Sequence, residues 1–383
     1  MHITKYKPML RHTHLIKFLF NRELSEMYIS VALRDLALSM SGIFVPLYLL
    51  IDLDYSLNKV LLFFLFYGIA VTLSVIPAAK FTSRYGIKHG ILMSMFGLIM
   101  YNISLVTLPY HDLFFMPAIL SGFSTSFYWI NFHADFAKFS DKKNRGREVS
   151  IWFITAYTSI LVGPILGSVI ITYLGFITLF VIVSLIFMLS AVPLFLSSEV
   201  YEPVKFSVSD IFKKSHLKET YFYITYGIRM MISQVVFPLY IFFLLTKYIS
   251  LGAIASLTAL GSMIVGYFVG KLSKDEKKEM TMFKYGSLFH SLGLFFMIFV
   301  KTFVQIAVVN VYLAMSFIFV DIPHHSMFYT KARRQKSMMG YIVFREITIG
   351  IGRIVGVLLI MLTASLILGF IVSGITMLTW FFI

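Results

Sequence analysis

Ser41-Gly42-Ile43-Phe44-Val45-Pro46-Leu47-Tyr48 returns, 192 positions later, as Ser233-Gln234-Val235-Val236-Phe237-Pro238-Leu239-Tyr240. The shared S-x-x-x-x-P-L-Y string lies in both places inside a long apolar run. Other landmarks keep nearly the same displacement: His133 corresponds to His325, and the pair Gly163 and Gly167 to Gly352 and Gly356. Single apolar matches arise by chance, whereas a common offset through three helix pairs marks an internal duplication.

The chain around these strings is 58% hydrophobic and only 13% charged over 383 residues, too apolar for a soluble domain that must keep its surface wet. A helix needs about 20 apolar residues to cross the hydrocarbon layer. The apolar runs and their breaks predict helices near 27–51, 57–80, 88–108, 112–135, 148–172, 175–196, 219–246, 249–271, 281–300, 302–327, 339–361 and 363–383. The expected fold is therefore all-α and integral to the membrane, with twelve transmembrane helices in two pseudo-symmetric bundles of six. The domains expected are an N-terminal segment (1–26) with an interfacial helix, a first bundle (27–196), a linker (197–218) and a second bundle (219–383). The linker carries an amphipathic stretch at Val204, Val208, Ile211 and Phe212. Two parallel repeats related about the membrane normal are a transporter plan, with the solute path between them.

The net charge of +15 is distributed as a topology signal and not as a nucleic-acid footprint. Of the 33 Lys and Arg, 26 fall on one side of the alternating breaks and only three, Lys59, Lys247 and Lys301, on the other. The basic side is expected to be cytoplasmic, with both termini there and the protein in the cytoplasmic (inner) membrane. The absence of cysteine excludes disulfides, iron–sulfur clusters and thiol catalysis. No nucleophile–base motif and no metal-ligand spacing stand out, so neither an enzyme nor a cofactor is expected.

After the second helix, Ala79, Ser83, Arg84, Gly86 and Lys88 resemble the loop signature G-x-x-x-D-R-x-G-R-R of the major facilitator superfamily, with Ala for the first Gly and Ser for the Asp. Arg145-Gly146-Arg147, followed by Gly163-Pro164-x-x-Gly167, resembles the pattern of that family's drug and metabolite exporters. The resemblance implies the major facilitator fold and alternating access. The missing Asp removes a charge expected to hold the cytoplasmic gate, and the run Phe115 to Trp129 lacks the Arg that such exporters often use in proton coupling.

Charges within the hydrocarbon layer each need a partner or a wet cavity. They are Arg34, Asp35, Arg229, Asp321, Arg345, Glu346 and Arg353. Arg34, Ser41 and Tyr48 recur every seven residues in helix 1, as do Tyr226, Ser233 and Tyr240 in helix 7, so both helices are expected to turn a polar stripe toward a central cavity. Asp321, His324 and His325 can share a face in helix 10, where a carboxylate beside imidazoles can carry a proton or the histidines simply meet water. With His133 and Asp135 added, a divalent-metal site is the remaining alternative for this group. Gly163-Pro164-x-x-Gly167 in helix 5 and Gly350-x-Gly352-x-x-x-Gly356 in helix 11 permit close backbone approach and suit halves that slide or rock. Arg353 among those glycines should point to a cavity or to Glu346. The expected function is proton-coupled export of small amphipathic metabolites or drugs by a monomeric antiporter in lipid. Uptake or exchange of an organic anion such as a phosphate ester is the alternative, suggested by Arg34 and Arg229 on equivalent helices. A transporter-like receptor or membrane enzyme is the remote third reading.

Overall fold

The computed structural model describes residues 22–111, 113–140, 145–195, 199–203, 216–273, 275–363 and 365–383. Apart from Arg22, the expected interfacial helix falls outside these residues, as does the amphipathic stretch of the linker.

Helix α1 (Arg22–Ser41) continues through a 3-10 turn at Gly42–Phe44, a short α-helical turn at Val45–Leu47 and a π-turn at Tyr48–Asp52. Then follow α2 (Leu57–Tyr85), α3 (Ile87–Thr107) and α4 (Phe115–Phe139). The run Arg145–Ala191 breaks at Gly175 into α5 (145–174) and α6 (176–191). The second half comprises α7 (Leu217–Leu245), α8 (Tyr248–Leu272), α9 (Glu276–Phe296), α10 (Phe303–Arg334), α11 (Met338–Thr363) and α12 (Leu366–Trp380). Among the described residues nine helices are individually long and apolar enough to cross a membrane. One of the nine is the double crossing α5–α6, and α4 with the shorter α12 completes the expected twelve.

Local chemistry sets the corners. Ser56, Asp275 and Thr302 begin α2, α9 and α10 by accepting from the amides of Lys59, Lys278 and Gln305, and Gln305 returns the bond to Thr302. Between α5 and α6 there is no loop: Gly175 turns the chain alone at φ 81°, a conformation that costs glycine nothing. Large side chains such as Leu73 and Phe268 remain more than half exposed on the outer faces, where lipid covers them.

Packing repeats with the sequence. α5 lies along α1 in its own half and along α8 across the interface; α11 lies along α7 in its own half and along α2 across it. Four helices thus carry most of the contact between halves, paired α5–α8 and α2–α11, with α4 and α10 adding smaller contacts.

A charged cavity between the halves

A cavity of about 720 Å³ opens between the halves, walled mainly by α1, α2, α4 and α5 on one side and α7, α8, α10 and α11 on the other. Of the residues singled out in the sequence, Arg34, Asp35, Ser41, Tyr226, Arg229, Ser233, Asp321, Glu346 and Arg353 line it. Tyr48 and Tyr240 do not. Tyr48 donates to the Leu105 carbonyl at 2.9 Å and packs on Phe176 and Phe180; Tyr240 lies against Phe370. In helix 1 the physical reason is the change of winding beyond Ser41: a seven-residue stripe holds only at 3.6 residues per turn, and the 3-10 and π segments rotate Tyr48 off it.

The charges within the bundle divide into those held in ion pairs and those that are not. Arg34 binds its neighbour Asp35 at 3.0 Å and stacks over the Tyr128 ring at 3.2 Å. Asp321 accepts from the Tyr226 hydroxyl at 2.9 Å, with the His325 imidazole 3.4 Å away. Arg345 pairs with Glu346 and also donates to Nε2 of His133 at 2.9 Å, while His133 Nδ1 meets the Tyr329 hydroxyl at 2.8 Å. Because Arg345 takes Glu346, Arg353 has no acid. Its Nε and Nη1 lack partners, and its Nη2 donates to the Met230 sulfur at 3.8 Å. Arg229 lies over the Phe317 ring at 3.6 Å with its Nε unpartnered. Among the described residues neither Arg229 nor Arg353 forms an ion pair. Both are in the second half, so Arg34, held by Asp35 and Tyr128, is not the partner of Arg229 in a symmetric clamp.

The model of the Major Facilitator Superfamily matches residues 27–352. The chain belongs to the major facilitator superfamily. Relatives include the uncharacterized protein YqgE of Bacillus subtilis (strain 168), 23% identical over 366 residues, covering 82% of this chain and 84% of that one. Among solved structures, the human organic anion transporter MFSD10 (TETRAN) superimposes with a TM-score of 0.69 at 11% identity, covering 94% of this chain and 98% of that one. That likeness is one of fold.

In this superfamily member the loop after α2 closes without the signature Asp. Gly86 takes φ 97°, and a side chain there would strike Glu199. Glu199 accepts from the amides of Lys88 at 2.9 Å and His89 at 3.1 Å, so an acid from beyond α6 caps the start of α3. Arg84 and Arg147 are exposed, whereas Arg145 is buried and reaches across the interface to the Thr330 hydroxyl at 2.7 Å. Arg333 answers from the second half by donating to the Ser140 carbonyl at 2.8 Å. The end of the bundle that carries the basic loops is therefore bridged by polar contacts between halves.

The two small-residue patterns divide between packing and seam. Gly163 and Gly167 press on Ser39 and Met40 of α1, and Gly352 and Gly356 on α7, each within its own half. Pro164 and Gly350 of the same patterns do face the other half, where the close approaches are Gly252 on Pro164 and Ser168, Gly350 on Thr72, Gly146 on Ser273 and Gly270 on Ser150. Sequence reading also missed cavity-wall residues such as Tyr67, Trp129, Gln234, His290 and Asn310. Gln234, next to Ser233 in the repeat string, was the one with a visible signal.

Proposed function

We propose that this major facilitator transporter carries amphipathic organic anions, with Arg229 and Arg353 receiving the anionic group. The observation that carries the reading is that Arg353, fully buried, and Arg229, half-buried on the cavity wall with Asp321 acting on it only from beyond ion-pair distance, form no ion pair among the described residues. A buried cation without a counter-charge costs several kcal/mol, so such a site favours any state in which an anion enters. Guanidinium is also the group best suited to planar, two-pronged binding of carboxylate, sulfonate or phosphate. The aromatic wall, including Trp129, Phe153, Tyr157 and Phe237, suits a ring or alkyl body behind that group. The fold likeness to an organic anion transporter points the same way. Alternating access would move the anion, and the exporter-like Arg145-Gly146-Arg147 and Gly163-Pro164-x-x-Gly167 patterns favour export, with protons as the driving ion and a single chain in the cytoplasmic membrane as the working unit.

The test is a thermal-shift panel of aromatic carboxylates, sulfonates and phosphate esters beside quaternary ammonium compounds of matched size, followed by proteoliposome flux of the hits. A ligand at a hundred times its Kd adds about 2.7 kcal/mol to stability. Anions are expected to stabilise and the ammonium compounds to have no effect; stabilisation by the cations alone would refute the reading.

Orientation has its own measurement. The chain has no cysteine, so Lys277→Cys and Lys301→Cys, both at exposed positions, report separately. In right-side-out membranes an impermeant maleimide is expected to label position 301 directly and position 277 only after permeabilisation. Labelling of both from outside would rule out cytoplasmic basic loops.

A further inference from the structure

His133 and His325 occupy the same position of the duplicated unit, and their rings meet across the interface with centroids 6.1 Å apart. Around His133 the geometry fixes proton positions. A guanidinium can only donate, so Nε2, which faces Arg345 Nη1 at 2.9 Å, acts as acceptor and carries no proton. The ring proton is then on Nδ1, directed at the Tyr329 hydroxyl 2.8 Å away. The bond from α11 to α4 therefore exists only while His133 is neutral.

We propose that His133 is a proton-binding site of this transporter and that taking up a proton there releases the contact between halves at the basic end. Protonation converts Nε2 from acceptor to donor, so it can no longer receive the Arg345 hydrogen bond. The new donor lies 3.6 Å from the Glu346 carboxylate, which already serves Arg345. Arg345 and Glu346 cancel one another, so the added proton leaves the closed cluster with one net positive charge. His133, Arg345 and Glu346 are 1–3% exposed, and such a charge is far better solvated if the cluster opens to water.

The groups facing His133 leave no other compensation. From α11 these are Arg345 and Glu346; from α10, Tyr329 and His325, with Asp321 behind His325 already accepting from Tyr226. His324, also on α10, lies against Phe222 and Tyr223 of α7. On α4 itself Trp129 and Phe132 flank the ring, and α5 contributes Trp152 behind them. Asp135 and Glu148 act on Tyr28 of α1. Because the readout below needs no substrate, it fails or succeeds independently of the organic-anion reading.

The experiment uses the full chain in nanodiscs with nitroxides at Tyr85→Cys and Lys277→Cys, exposed positions on opposite halves at the basic end. Pulsed dipolar distances are compared between about pH 8 and about pH 5, the window in which histidine titrates. Acid is expected to raise the population of the separated state by about fivefold or more. His133→Gln offers Arg345 an oxygen in place of Nε2 but cannot take a proton, so it is expected to stay closed at both pH values. His133→Leu offers nothing and is expected to be separated at both. A purely structural role would shift the distances without altering their pH dependence. No acid response in the unsubstituted protein, a response that tightens the interface, or a His133→Gln variant that keeps the normal response would each overturn the proposal.

Discussion

Arg353→Met is expected to make the ligand-free protein more stable and to remove its ability to bind anions. Arg353 is 3% exposed and has two unpartnered nitrogens, so its charge is held at the expense of folding. Methionine fills similar space beside Met230 without a charge, and replacing buried charge by apolar volume stabilises proteins by about 1–4 kcal/mol. Truncating one member of a buried charge pair costs a complex about 2–5 kcal/mol, a fall in affinity from about 30-fold to a few thousand-fold. Melting temperature without ligand and the anion-induced shift in the same variant provide both readings. A residue that merely braced the bundle would lower the first and spare the second, and that outcome would remove Arg353 from the binding site. Arg229→Met should behave alike in binding, with a smaller gain in stability because Arg229 keeps the Phe317 ring beneath it.

Gly352→Val is expected to prevent the second half from assembling. A Cβ at Gly352 would run into the carbonyl of Ile224, with the Cα of Gly227 at 3.0 Å, so backbone and not a flexible side chain stands in the way. Overpacking that only displaces side chains costs about 1–3 kcal/mol, and a rigid helix backbone adds to that. Gly42 is the contrast. Nothing lies within 4 Å of its Cβ position and its φ is not positive, so Gly42→Ala should be neutral or stabilising by about 0.4–1 kcal/mol. Detergent-solubilised yield and elution profile distinguish the two. A Gly352→Val protein that elutes and melts like the original would mean that α7 and α11 can separate at little cost.

The helix count and the duplication were legible because both rest on composition and period, which a membrane imposes strongly. The cavity charges were legible for a related reason: an Arg or Asp in an apolar run is conspicuous wherever it points. Partner choice was not. Glu346 is seven residues from Arg353 on one helical face, yet it pairs with its neighbour Arg345 because that guanidinium also reaches His133 across the interface. Only the approach of α4 to α11, which no local period encodes, decides this. In helix 1 face assignment failed where the winding changes, so Ser41 lines the cavity while Tyr48 does not; Tyr240 also leaves the stripe, within a helix that stays α past Pro238, and nothing in its winding explains it. The glycine pairs Gly163/Gly167 of α5 and Gly352/Gly356 of α11 do approach backbone closely, but within their own halves against α1 and α7, while Gly350 of α11 meets Thr72 of the other half. Small-residue spacing announces proximity without naming which helix comes near.

The meeting of His133 with His325 has a bearing on descent. Equivalent positions of two repeats touch only near the axis that relates them, so a six-helix ancestor pairing with its own copy would have placed one encoded histidine on both sides of its dimer contact. Every substitution at that position would then have been felt twice. Fusion into a single chain removed the constraint and let the surroundings diverge: one turn before His325 stands Asp321, and one turn before His133 stands Trp129. An inherited mirror pair has become one imidazole beside an acid and one stacked on an indole, a difference of kind that a symmetric dimer of identical chains could not have acquired.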